Sequence, residues 1–144
     1  MDRAIRSAYI ASAVVCLGIP LALQIFLGAL VPAGRTPVGE LVQQVGYTFT
    51  AASFIALALA ARLGRKALAR FPWVPGERRA MAAARGILWS SSLSLVCVLC
   101  GCLHWALAGP AVERHARTFL ALGPVGFILF VPRPARWASA LPGS

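Results

Sequence analysis

Cys100, His104 and His115 are the residues whose types and spacing could do chemistry in this chain. Cys100 and His104 belong to "SSSLSLVCVLCGCLHW", Ser90–Trp105, and His115 to "GPAVERHAR", Gly109–Arg117. His104 lies as far before the Gly109–Pro110 turn as His115 lies after it. In an antiparallel hairpin the two imidazoles then sit at one depth. Cys100 is one helical turn from His104, so the three could share a metal ion of the kind that takes nitrogen and sulfur ligands. Two imidazoles at one level could alternatively hold a haem from both sides. Adjacent helices run about 8–10 Å apart, which is cramped for a porphyrin. A quinone pocket needs less: one hydrogen-bond donor, such as His104 or His115, between apolar walls.

Cys97 and Cys100 make a C-x-x-C pair. The tetrad "CVLC" resembles the thiol pair of the four-helix, quinone-linked disulfide oxidases. The resemblance covers those four residues. That family has a further cysteine pair in a long outer loop and an arginine on the following helix, and neither has a counterpart here. The thiolate is the reactive form of cysteine, and an apolar helix interior does not favour it. The expected role of Cys97 is therefore packing.

The elements that must carry these groups follow from composition. Hydrophobic residues make up 59% of the 144 and charged residues 12%. Soluble domains hold about 45–50% and about 25%. The expected solvent is lipid. Four apolar runs are predicted as membrane helices over residues 8–31, 41–61, 86–108 and 112–131, in one domain spanning 1–144. The fourth, "TFLALGPVGFILFV", is short and becomes a span only if "AVERHAR" supplies its first turns. The first run is longer than the apolar core of a cleaved signal and is read as a retained helix, kinked at Pro20.

Net charge is +10, from 14 Lys and Arg against 4 Asp and Glu. The cations fall between the apolar runs rather than in a patch, so no nucleic-acid partner is expected. Arg3, Arg6, Arg62, Arg65, Lys66, Arg70, Arg78, Arg79, Arg85, Arg133 and Arg136 would lie on one side, and Arg35, Arg114 and Arg117 on the other. The positive-inside rule puts both termini and the loop 62–85 in the cytoplasm of a bacterial-type inner membrane. The start of that loop is expected to extend the second helix past the membrane before a turn at "FPWVPGE", where Glu77 would cap or begin the third. Arg62, Arg65, Lys66, Arg70, Arg78 and Arg79 are candidates for contact with lipid headgroups. Trp73, Trp105 and Trp137 are expected at the interfaces, where indole rings prefer to lie.

Helix faces follow from a step of about 100° per residue. Ser90, Ser94, Cys97, Gly101 and His104 share one face of the third helix, opposite Leu88, Leu95, Leu99 and Leu103. Ala52, Ala56, Ala60 and Gly64 form a small-residue ridge on the second. Such faces let membrane helices approach closely. A compact all-α bundle of two antiparallel hairpins is the expected fold. Gln24, Gln43, Gln44, Tyr47, Thr48, Thr50, Glu40, Glu113, Arg114 and Arg117 could line an outward-facing polar pocket. No acidic residue lies at mid-depth, which argues against a proton-coupled small multidrug transporter.

No phosphate loop, nucleophile elbow or catalytic carboxylate pair occurs. The favoured expectation is a non-catalytic accessory, anchor or assembly subunit of a larger membrane complex, with other membrane subunits as partners and no cofactor required. The alternative is a haem- or quinone-associated electron-transfer subunit using His104 and His115. A further one is a small carrier or channel with a polar path along Ser90, Ser94 and Gln24.

Overall fold

Asp2–Ala13 (α1) begins earlier than the first apolar run and passes through a wide π turn, Val14–Gly18, into Ile19–Phe26 (α2) and a short 3-10 turn, Leu27–Ala29. The computed structural model describes residues 2–29 and 39–141. Most of the outer turn "PAGRTPVGE" with Arg35, the end of the predicted first helix at Leu30 and Val31, and residues 142–144 lie outside them. Pro20 explains the π turn. It has no N–H to give, and its ring crowds the carbonyl one turn earlier, at Cys16. Widening the turn by one residue relieves that crowding. The irregularity expected at Pro20 is therefore a π turn beside it rather than a break.

Gly39–Arg70 (α3) runs well past residue 61, and Arg79–Ala108 (α4) starts well before residue 86. The expected loop 62–85 is mostly helix. Its turn is confined to Phe71–Arg78, around Pro72 and Pro75, where proline excludes a continuing helix. Glu77 makes no side-chain cap there. Arg79, expected among lipid headgroups, instead donates from Nε to the Val74 carbonyl at 2.9 Å and from Nη2 to the Pro72 carbonyl at 3.3 Å. Its guanidinium is turned inward because the proline-rich turn leaves carbonyls with no helical partner.

α4 ends at Gly109, whose φ of 59° and ψ of −143° suit glycine. A 3-10 turn, Gly109–Val112, leads into Glu113–Phe130 (α5), and Pro134–Ser139 (α6) closes the chain. The described residues include no strand. Three helical stretches are long and apolar enough to cross a membrane: Arg3–Phe26, Val42–Trp73 and Gly76–Ser139. The last is 64 residues long and folds back on itself at Gly109 as α4 and α5.

Small residues set the packing. A Cβ on Gly101 would come 2.9 Å from the Ala116 carbonyl oxygen, and one on Gly123 would meet Val98, so α4 and α5 are antiparallel neighbours. A Cβ on Gly64 would lie 2.7 Å from the Phe130 oxygen, and one on Gly86 2.8 Å from the Ala67 methyl. Ala56, Ala60, Gly64, Ser90, Ser94, Cys97 and Gly101 are buried, and Ala52 is half-buried. The small faces are thus engaged within the bundle. Outside, α2, α3 and α4 present Leu21, Ile25, Phe54, Ile55, Leu88 and Leu99.

Two apolar clusters mark the two ends. At one, Ile5, Phe71, Ala83, Ile87, Phe127, Val131 and Trp137 pack together. At the other, Leu27, Val98, Trp105, Ala116 and Leu120 do so. Both chain ends and the α3–α4 turn therefore share one end of the bundle. Trp73 is exposed, but Trp105 and Trp137 are buried rather than lying in an outer belt. Trp137 stacks edge-on against Phe71 at 5.0 Å and donates Nε1 to the Pro132 carbonyl. The six-residue α6 folds it inward, and burying a whole indole outweighs an interfacial site.

Candidate ligand cavity at the α3–α4–α5 end

Helix geometry alone brings the two histidines together. α4 and α5 descend side by side from the Gly109 turn, and the ring centroids of His104 and His115 are 6.2 Å apart. His104 is 3% exposed, and His115 is open to the surface. Gly46 on α3 makes room for the buried ring, since a Cβ there would sit 3.1 Å from its Cε1. Phe49 and Phe119 flank it, with centroids 5.8 and 6.0 Å away. Aromatic walls fix the ring plane but offer it no hydrogen bond.

Beside the rings lies a cavity of about 320 Å³. Val42, Gln43, Tyr47 and Thr50 of α3 line it with His104 and His115. Gln43 donates its amide to the Tyr47 hydroxyl at 3.2 Å, and Thr50 donates to the Gly46 carbonyl at 2.8 Å. His104 Nδ1 is buried with no hydrogen-bond partner among the described residues. A buried polar nitrogen left unpaired costs about 1–3 kcal/mol. A ligand acceptor reaching it would recover that cost.

The three-ligand metal site expected from Cys100, His104 and His115 is not assembled. Among the described residues no three of His, Cys, Asp and Glu converge to hold a metal. Cys100 is buried about 6 Å along α4 from His104, a full turn below the level at which the histidines meet. The close approach of Gly101 to Ala116 also leaves α4 and α5 too near for a porphyrin between the rings. Cys97 lies in the core with its Sγ toward the Ser53 carbonyl, and all four cysteines are free thiols.

The expected polar pocket divides in two. Gln43, Tyr47 and Thr50 join the cavity. Gln24, Glu113 and Arg117 form a separate clamp. The Gln24 amide donates to the Arg117 carbonyl at 2.7 Å, and Arg117 Nη1 donates to the Gln24 carbonyl at 2.7 Å and to its Oε1 at 3.3 Å. Arg117 Nε meets Glu113 at 2.8 Å. This reciprocal pairing ties the end of α2 to the start of α5. The expected channel path is also engaged. Ser90 and Ser94 are buried and donate to the Gly86 and Ser90 carbonyls of their own helix. Among the basic candidates Arg62, Arg65, Lys66, Arg70 and Arg78 stay exposed.

Sequence spacing gave no sign of Gly46, Phe49 or Phe119 around His104, because their convergence depends on how α3 crosses α4. Comparison with known proteins gives no match among family models, curated proteins or solved structures.

Proposed function

We propose that the chain is a multi-pass protein of a bacterial-type inner membrane, crossing four times with both termini and residues 62–85 in the cytoplasm, and that it serves a larger membrane complex as a non-catalytic accessory, anchor or assembly subunit. The observation that carries this reading is the outward face at the start of α3. Gln44 and Thr48 are exposed there, beside the cavity-lining Gln43 and Tyr47, while the helix beyond them exposes Phe54, Ile55 and Leu59. Amides and hydroxyls facing outward from a membrane helix gain by bonding across to another helix. Extraction in mild detergent tests the reading, with a photo-crosslinking residue replacing Gln44. A second membrane chain at fixed stoichiometry, crosslinked from position 44, is the expected result. A lone monomer with no crosslink overturns it.

The cavity supports a second reading, a quinone-associated electron-transfer subunit. His104 lines the cavity and carries a buried, unpaired Nδ1 that suits a quinone carbonyl, and Val42, Ala111 and Val112 supply apolar wall beside it. Solvent extraction of purified protein should then yield bound quinone, and His104→Phe should abolish it while leaving the fold intact. Protein that retains none, and takes up none on titration with a short-chain quinone, retires this reading.

A further inference from the structure

Lys66 and Arg70 on α3 face Arg85 on α4 across a cavity of about 380 Å³, at the end of the bundle that holds the α3–α4 turn. Its remaining lining is apolar or small: Leu63, Ala67, Ala82, Gly86 and Trp89. Ala67 and Gly86 belong to this lining at the point where the two helices come into contact. All three cations are exposed, and none pairs with a carboxylate among the described residues.

The lining is graded. Leu63 lies one helical turn before Ala67 on α3, and Trp89 lies one turn after Arg85 on α4. Because the helices run in opposite directions, both apolar groups fall on the same side of the cations, Leu63 about 4.5 Å below Lys66 and Trp89 about 6 Å below Arg85. Trp89 is 65% exposed, so its indole stands beside the mouth rather than in the core. Cations above and an indole and a leucine below reproduce, from bottom to top, the profile of a phospholipid at the membrane surface.

We infer that this cleft is a binding site for an anionic diacyl phospholipid. Its phosphate lies between Lys66, Arg70 and Arg85, and its upper acyl chain lies against Leu63 and Trp89. Basic pockets between membrane helices favour anionic headgroups through charge, and the apolar lower wall separates a whole lipid from a free phosphate. One phosphate held by cations from both helices also pins α3 to α4 beyond their turn. The inference rests on the membrane reading of the chain and is independent of any partner subunit.

The test uses the full chain, delipidated in mild detergent and titrated with phosphatidylglycerol, phosphatidylcholine or inorganic phosphate, with bound lipid read by native mass spectrometry. Phosphatidylglycerol should be retained at least about tenfold more strongly than phosphatidylcholine. Lys66→Gln and Arg85→Gln should each weaken it about fivefold. Arg85→Lys should keep most of the binding, and Arg133→Gln, an exposed cation beyond the cleft, should change nothing. Equal retention of the two lipids, or equal loss in Arg133→Gln, overturns the site. Binding of inorganic phosphate as tight as that of the lipid overturns the diacyl assignment. A chain that is soluble without detergent would instead overturn the membrane reading itself. Thermal melting of each variant, expected unchanged because the cations are exposed, separates lost binding from lost fold.

Discussion

At the residue scale the bundle depends on places where a single methyl group will not fit. Gly101, like Gly64, has a backbone oxygen in its way, that of Ala116, and backbone cannot rotate aside as a side chain can. Gly101→Ala should therefore part α4 from α5 and cost about 1–3 kcal/mol, the range for overpacking. It should also loosen the His104–His115 pair, which depends on the same contact. Gly18→Ala is the control. Nothing lies within 4 Å of the added methyl, and alanine is the better helix former by about 0.5–1 kcal/mol. Unfolding in mixed micelles should show a large loss for the first and none for the second. Equal effects would refute the packing account. Gly101 was legible from the small-residue face of its helix, and so was the meeting of His104 with His115, from their symmetry about the turn. The unpaired state of His104 Nδ1 was not, since it depends on Phe49 and Phe119 arriving from other helices.

At the element scale the wide turn before Pro20 sets the rotation of everything after it. One extra residue in a turn rotates the following helix by about 100° relative to a regular one. That rotation is what presents Gln24 to Arg117, and Cys16, buried in the turn, reaches the Ser91 carbonyl of α4. Pro20→Ala removes the crowding that favours the turn, so α1 and α2 should relax toward one regular helix and Gln24 should leave its partner. A double-mutant cycle makes this testable. Gln24→Leu should cost about 1.5 kcal/mol with Pro20 in place, the lower end for hydrogen bonds to a charged group because Arg117 is half-exposed. With Pro20→Ala the same change should cost almost nothing. Additive costs would show that the turn does not position the clamp. Helix extents followed this division between local and distant causes. The long α3 was legible from its alanine-rich, arginine-bearing continuation and the proline turn after it. The inward fold of α6 was not, because six residues carry no period that announces a buried face, and Trp137 is held by Phe71 from a distant turn.

At the scale of the whole molecule the geometry and the charges make one joint statement. Ile5, Phe71, Ala83, Val131 and Trp137 share one apolar cluster, so both chain ends and the α3–α4 turn must lie on the same side of any membrane the bundle crosses. That same end carries Arg62, Arg65, Lys66, Arg70, Arg78, Arg79, Arg85, Arg133 and Arg136, while Arg114 and Arg117 mark the start of α5 at the other. An insertion machinery that retains Lys and Arg on the cytoplasmic side would leave the cluster end inside. Single cysteines introduced into a cysteine-free variant should show this directly. Ala111→Cys, exposed in the α4–α5 turn, should react with a membrane-impermeant maleimide in intact cells. Trp73→Cys and Ser139→Cys, exposed at the opposite end, should react only after permeabilisation. Neutralising Arg62, Arg65, Lys66, Arg70, Arg78 and Arg85 together should remove most of the charge difference and give a mixed population in which all three sites label partly. Labelling of Trp73→Cys from outside in the otherwise unaltered chain would invert the molecule. The phospholipid cleft would then face the outer leaflet, and the histidine cavity the cytoplasm.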